Sequence, residues 1–431
     1  MSSPIIRDRH LNSNKEPGSL PARPMPRSGE SLLGTTTKSA STLENTGFQK
    51  SLPEKFANNE NRYALQKIAQ KLSPGERVCS CMKTVAPTQN AVKVVYDDTN
   101  RHAHYRNLMR CDSVWICPVC SGRITSHRAN EIRNGYAYAV DTLGFRVVMA
   151  TYTMSHTRFD SLQDNLDSMR DARRKLRSGR AWQTFKRNFG YQGCISALET
   201  TWSSDAGWHV HVHEIMFFDP GTAIFELHED DRKLEAWLHA ELAVKWQESL
   251  NKVGRNCTLV NGLKFDATDQ YVAQYIAKQG KLPAGINWDI ALELTKSNQK
   301  ISKGGLHPFQ ILELAGGVQL EEKKRNQYVA LWHEYVDAFK GRRQIFWTNG
   351  LKDILQVDLV EEDGDIEEQG DQVYLVAREM WRDIVYLDKR AELLNNTILW
   401  RCDTDKINRY LKRVAADANL KRRTNAYWRR E

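Results

Sequence analysis

No stretch of this sequence approaches the roughly 20 consecutive apolar residues that a bilayer-spanning helix needs, which argues against an integral helical membrane protein. The first residues, MSSPIIRDRHLNSNKEPGS, lack the apolar core of a secretory signal, so the expectation is a cytoplasmic chain. Cysteine is sparse, eight in 431 residues, and its clustering in a reducing compartment points to metal rather than to a disulfide framework. Aromatic residues are scarce before about residue 55, where Ser, Pro, Asn and Thr dominate. Such a segment buries too little surface to offset the entropy of ordering, and residues 1–58 read as a disordered tail. No internal repeat of useful period is present.

The remainder is globular in composition, with 41% hydrophobic residues and 12 tryptophans, and long enough for two or three domains. A net charge of +9 favours an acidic partner such as nucleic acid. Residues 60–72 read as a short amphipathic helix. A strand over GFRVVMATYTMSH follows from 144, then a basic helical stretch to about 188. YQGCISALETTW (191–202) and GWHVHVHEIMFF (207–218), joined by the turn-formers SSDA, read as a β-hairpin. A long helix, broken near Asp230, spans 223–253, a second strand falls within CTLVNGLKF, and residues 325–340 are again helical. The acidic run VDLVEEDGDIEEQGD (357–371) reads as a solvated linker. These elements predict an α+β chain divided as 1–58, a helix with a cysteine-rich knuckle (59–135), a sheet-bearing domain (136–345), and an acidic linker with a helical C-terminal region (346–431).

Cys117-Pro-Val-Cys120 has the spacing with which two thiolates grip one tetrahedral zinc ion. Cys111 lies nearby, Cys79 and Cys81 compete for the remaining place, and His102 or His104 could also complete a structural Zn²⁺ site. A redox role is disfavoured, since no thioredoxin-like βαβ pattern surrounds the pair. Cys194, Cys257 and Cys402 stand alone and read as small core residues.

His209, His211 and His213 alternate with valines. On a strand the valines bury on one side and the imidazoles line the other, which makes a metal half-site. With the hairpin turn centred on Asp205, Glu199 sits across from His211 on that face. A carboxylate beside imidazoles suits Mg²⁺ or Mn²⁺, whereas three histidines alone would suit a zinc hydrolase. The helix TDQYVAQYIAKQG then projects Tyr271 and Tyr275 from one face at i and i+4, with Lys278 following. Beside a metal-binding strand, that pattern suggests covalent catalysis by a tyrosyl oxygen, with Lys278 stabilising phosphoryl charge.

Together these residues resemble the HUH endonucleases, specifically the large initiators of rolling-circle plasmid replication. His211-Val212-His213 matches the His-hydrophobic-His element within the WHxHxH context from Trp208. MATYTM (149–154) resembles the first strand motif and YVAQYIAK (271–278) the catalytic motif. WICPVCSGRI resembles the cysteine knuckle ahead of the nuclease domain, and GRRQIFWTNGLK (341–352) a segment after it. The resemblance covers about 110–352. It implies a central antiparallel sheet carrying the histidines, with Tyr275 as nucleophile. The reaction implied is strand-specific nicking of plasmid origin DNA, single-stranded or hairpin, giving a 5′-phosphotyrosine and a free 3′-hydroxyl, with later rejoining. A host helicase and DNA polymerase are the implied partners. Two positions depart from the family pattern. Tyr271 stands where many members carry a water-activating glutamate, which opens a two-tyrosine mechanism or a role for Asp269. Glu214 replaces a hydrophobic residue and, on this register, points away from the metal.

RDARRKLRSGRAWQTFKRN (170–188) carries Arg173, Arg174, Lys175, Arg177, Arg180, Lys186 and Arg187 with Trp182 and Phe185 interleaved. The mix suits phosphate contact and base stacking, and equally a solvated helix with two buried aromatics. The basic end KRRTNAYWRRE offers a second phosphate contact. The rival readings are a non-catalytic zinc-knuckle DNA-binding regulator, a transposase of the same superfamily, and a zinc hydrolase. A conjugative relaxase is disfavoured, because its tyrosine precedes its histidines.

Overall fold

Period-two alternation of apolar residues sets the central sheet of the computed structural model, which describes residues 52–221, 231–267, 305–317, 319–357 and 370–427. The helices are α1 (Leu52–Leu72), α2 (Pro118–Ala137), α3 (Leu162–Leu176), α4 (Gly179–Phe189), α5 (Asp231–Asn251), α6 (Pro308–Gly316), α7 (Glu322–Phe339), α8 (Arg378–Tyr386), α9 (Arg390–Leu399) and α10 (Thr404–Tyr427). The strands are β1 (Ala91–Asp97), β2 (His102–Arg106), β3 (Arg146–Tyr152), β4 (Tyr191–Ser203), β5 (Gly207–Phe218), β6 (Leu263–Ala267), β7 (Ile345–Trp347) and β8 (Gln372–Ala377). The chain is α+β, as the sequence predicts.

Five strands form one antiparallel sheet in the order β6-β3-β5-β4-β7. The histidine strand β5 is central, so its backbone is held from both sides. On one face Val148, Ala150, Tyr152, Val210, Val212 and Met216 join a core that includes Leu162, Leu166 and Met169 of α3 and Trp182, Phe185 and Phe189 of α4. On the other face Val147, Met149, Ile195, Ile215 and Phe217 pack against Ala129, Ile132 and Tyr136 of α2. That second face is apolar beneath α2 and changes character further along β5, where the same face reads His213, His211 and His209. The basic stretch is two helices rather than one. Gly190 ends α4 in the left-handed conformation at φ 59°, which only glycine adopts without a side-chain penalty. The chain thereby turns directly into β4.

Several boundaries differ from the sequence reading. The first helix begins at Leu52, ahead of the predicted 60–72. Thr258 caps a short turn by accepting the Asn261 amide, and β6 begins only at Leu263. The acidic linker largely falls at 358–369, outside the described residues. The C-terminal region contributes β8 to a three-stranded sheet ordered β2-β1-β8, so the cysteine region and the C-terminal region share a sheet that a serial division keeps apart. Tyr105 donates to the Arg390 carbonyl at 2.6 Å, and Arg390 donates to Gln66 at 2.9 Å, tying β2 and α1 to α9. Among the described residues, no helix is long and apolar enough to cross a membrane.

Candidate metal centres on the sheet and at the cysteine cluster

The hairpin register places Glu199 directly across from His211 and Ala197 across from His213. Side chains two residues apart on one strand share a face, so Glu199, His211 and His213 converge. Glu199 Oε2 lies 3.0 Å from His211 Nε2 and 3.6 Å from His213 Nε2. The three ligand atoms fall within 4.8 Å of one another, and Glu199 is 4% exposed. Burial alone would raise the Glu199 carboxyl. The hydrogen bonds from His211 and His213, and their charge when protonated, outweigh it and hold the group well below the usual carboxylate range.

Two further observations bear on whether the group fits a cation. Thr151, across from His213 on β3, is hydrogen-bonded through its hydroxyl to His213 Nδ1 at 2.9 Å. A partner on the far nitrogen fixes the ring and leaves Nε2 to face the carboxylate. Glu199 Oε1 and His211 Nδ1 are buried without a hydrogen-bond partner among the described residues, a cost that an ion at the carboxylate would reduce. The group can hold a metal ion. His209 stands apart from it. Its ring stacks 5.1 Å from His211 and lies 5.0 Å from His156. Burial first, then the neighbouring imidazoles His211, His156 and His213, push its pKa down to about 4, so it is neutral at physiological pH.

Cys81, Cys111, Cys117 and Cys120 form the second group, all buried. Their sulfurs lie 3.7 Å (Cys81 to Cys117), 3.5 Å (Cys81 to Cys120) and 3.7 Å (Cys111 to Cys120) apart. Those spacings are close to the edge of about 3.8 Å expected of a tetrahedron with metal–sulfur bonds of about 2.3 Å. They are far from the S–S length of about 2.05 Å of a disulfide. The Cys120 amide and Gln66 Nε2 point at Cys117 Sγ, at 3.5 and 3.3 Å, which favours a thiolate there. Between the two candidates for the last place, the structure selects Cys81. Cys79 turns its thiol to the Ser73 and Gln70 carbonyls at 3.3 and 3.5 Å. His102 and His104 lie on β2 and line a cavity of about 660 Å³ beside the cluster, with Arg62, Arg110 and Arg123, and do not join the four clustered thiols. Cys194, Cys257 and Cys402 are buried, as expected of core residues.

The basic stretch needs correction. Trp182 and Phe185 are buried, stacked on each other with centroids 5.0 Å apart, because the amphipathic helix α4 turns both rings to the sheet. They offer no stacking surface to a base. Arg173 and Arg177 point inward as well, and each donates to one carboxylate oxygen of Glu214. Glu214 indeed faces away from the metal group, as its register requires, but it is fully buried and serves as the anchor between β5 and α3. Arg174, Lys175, Arg180 and Arg187 remain exposed and Lys186 half-buried. Tyr271, Tyr275, Lys278 and Asp269 lie outside the described residues.

The Glu214 triad makes stability depend on pH. Burial raises the Glu214 carboxyl, but Arg177, Arg173 and the Ser196 hydroxyl more than offset it, and its pKa falls below the unfolded value. Its contribution is therefore fully present above the unfolded carboxylate pKa of about 4.3 and is lost as pH falls toward the folded value. Glu214→Gln leaves two half-buried guanidinium groups without their counter-charge. It should cost about 3–5 kcal/mol at neutral pH, on the order of 5 °C in melting temperature for a chain of this size. Melting followed from about pH 5 down to about pH 2 should show a shallower acid decline in the variant than in the wild type. Parallel declines would remove Glu214 from the acid limb.

Aromatic anchoring is the feature that sequence reasoning missed. Trp208 Nε1 donates to Glu334 at 2.8 Å, and the other oxygen of Glu334 accepts the Leu162 amide at 2.8 Å. One carboxylate of α7 thus fixes both the entry to the histidine strand and the start of α3. Nothing in the sequence connects residues so far apart.

The chain is 30% identical over 307 residues to "Protein rep" of Streptomyces lividans, covering 58% of this chain and 64% of that protein. The chain is similar to a Rep protein. It is also 31% identical over 133 residues to the "Neomycin resistance protein" of Streptomyces cyanogenus, covering 25% of this chain and 30% of the relative. It thus spans less than two thirds of either. No family model and no solved structure matches the chain.

Proposed function

We propose that this chain is a rolling-circle plasmid replication initiator that nicks one strand of origin DNA in a metal-dependent reaction. The observation that carries the reading is the Glu199–His211–His213 group on the central strand. The similarity to a Rep protein supports it. The Cys81, Cys111, Cys117 and Cys120 group, with its four thiols at tetrahedral spacing, fits Zn²⁺ in a structural role. The mixed carboxylate and imidazole donors fit Mg²⁺ or Mn²⁺, which in such a site polarises a phosphate oxygen and helps orient the scissile bond.

The protein's own groups do the rest. Thr151 holds the His213 ring in place through Nδ1, and Glu199 stays ionised, so the site presents a carboxylate beside two imidazole nitrogens. Tyr275 is the proposed nucleophile. Its phenolic oxygen bonds to phosphorus as the bond to the 3′ oxygen breaks; the phenolic proton is released, and the departing oxygen takes up a proton to become the 3′-hydroxyl. Lys278 offsets charge on the phosphoryl group. Tyr271 is the candidate second nucleophile for the rejoining step, with Asp269 the alternative as a base for water. Host polymerase would extend the 3′ end behind a host helicase. Arg174, Lys175, Arg180 and Arg187 are the residues of the basic stretch left to contact phosphates.

The test is incubation with single-stranded origin DNA and Mn²⁺, followed by denaturing mass spectrometry. A covalent DNA adduct should form with wild type and Tyr271→Phe and be absent from Tyr275→Phe. A wild type that binds its origin without forming an adduct would instead favour the non-catalytic zinc-knuckle regulator.

A further inference from the structure

The helix α10 carries its buried stripe on Ile407, Tyr410, Leu411, Val414 and Ala418. Opposite that stripe its first half exposes Lys406, Arg409, Lys412 and Arg413. These four cations and the partly exposed Trp400 line one cleft of about 540 Å³. Lys406 has Asp403 at 3.4 Å. Arg409, Lys412 and Arg413 have no carboxylate within ion-pair distance among the described residues. The second half of the helix is treated differently. Arg422 is paired with Asp383, and Lys421 and Arg422 lie 5.1 Å from the Tyr386 ring. Like charges three and four residues apart on a helix repel one another. Here they are gathered around one concavity, where a low-dielectric wall focuses their field.

We infer that this cleft is a second DNA-binding site, which grips the phosphodiester backbone away from the nicking centre. The inference rests on the reading of the chain as a DNA-acting protein. From Lys406 to Arg413 the four cations lie seven residue steps apart along the helix, roughly 10 Å at about 1.5 Å per residue. That length covers about three phosphates of one strand at an axial spacing of about 3.4 Å. Trp400 adds an aromatic wall against which an unpaired base can stack, a feature that an acidic peptide would not need. The site gives the C-terminal region a role separate from the chemistry on β5: holding DNA while the scissile phosphate is engaged elsewhere.

The experiment uses the full chain with a fluorescein-labelled oligonucleotide, single-stranded in one arm and duplex in the other, and reads anisotropy across a salt series. The variant Arg409→Gln/Lys412→Gln/Arg413→Gln changes only exposed side chains. Its control, Lys252→Gln/Lys323→Gln/Lys324→Gln, removes the same charge elsewhere. Loss of three phosphate contacts should reduce the slope of log K against log salt by about 2 for single strands and about 3 for duplex. Affinity at low salt should drop at least about tenfold, with the control unchanged. Unchanged slopes in both arms, or an equal fall in the control, overturn the inference; the first would leave an acidic protein as the patch's partner. Adduct formation at Tyr275 is scored separately. Its absence from the wild type would sink the nickase reading without touching the salt result.

Discussion

Replacing His211 and His213 together with alanine is expected to abolish Mn²⁺ binding and to slow DNA nicking by about a thousandfold. The size follows from the proposed role of the ion. Lewis-acid stabilisation of a phosphoryl transition state is worth several kcal/mol, and about 4 kcal/mol corresponds to roughly three decades of rate. Glu199 alone is a poor site, because one buried carboxylate cannot replace the hydration shell of a divalent cation. The paired measurement is Thr151→Val, which leaves all three ligands in place and removes only the hydroxyl on His213 Nδ1. Loss of such an orienting partner should weaken metal affinity about 10–100-fold while leaving the melting temperature close to wild type. Mn²⁺ titration by calorimetry, run beside a nicking assay, separates the two. Nicking within tenfold of wild type in the double variant would mean that the histidines do not hold the catalytic ion.

Removing metal from the cysteine cluster should unfold much of the chain. Structural zinc contributes on the order of 10–16 kcal/mol of binding free energy in small sites, comparable with the whole stability of about 5–15 kcal/mol of a typical domain. Here the four sulfurs come from three separate stretches, at 81, 111 and 117–120. The ion would therefore join the turn after α1, the approach to α2 and the first turn of α2 itself. Cys120→Ser is expected to lose the bound zinc and the cooperative melting transition. Cys79→Ser should keep one zinc per chain and melt within a few degrees of wild type, since its thiol reaches only the Ser73 and Gln70 carbonyls. Elemental analysis with circular dichroism decides it. Equal zinc loss in both variants would show that the ligand set has been assigned wrongly.

The hairpin around Asp205 was legible because two local signals agree. Turn-formers fix the register, and strict alternation from Trp208 to His213 fixes the face. Together they place Glu199 against His211 without further information. The four-cysteine group was legible as a kind of site, from the Cys117–Cys120 spacing, but not in its membership. Cys79 and Cys81 are two residues apart, and only the path of the chain after α1 turns one thiol inward and the other to backbone carbonyls.

The basic stretch from Arg170 to Asn188 was misread for a related reason. Charge and aromatic content are properties of composition, whereas their use depends on what each face meets. Glu214, a carboxylate on the buried face of β5, draws Arg173 and Arg177 inward, and the sheet takes Trp182 and Phe185 into the core. The sequence by itself determined the α+β class, the histidine hairpin with its register, and the presence of a cysteine knuckle, because each depends on residues close together in the chain. Tertiary structure alone decided which thiols meet, which arginines stay in solvent, and that β8 pairs with β1. Those outcomes depend on contacts between segments tens to hundreds of residues apart, which the packing of the two sheets and their helices brings together.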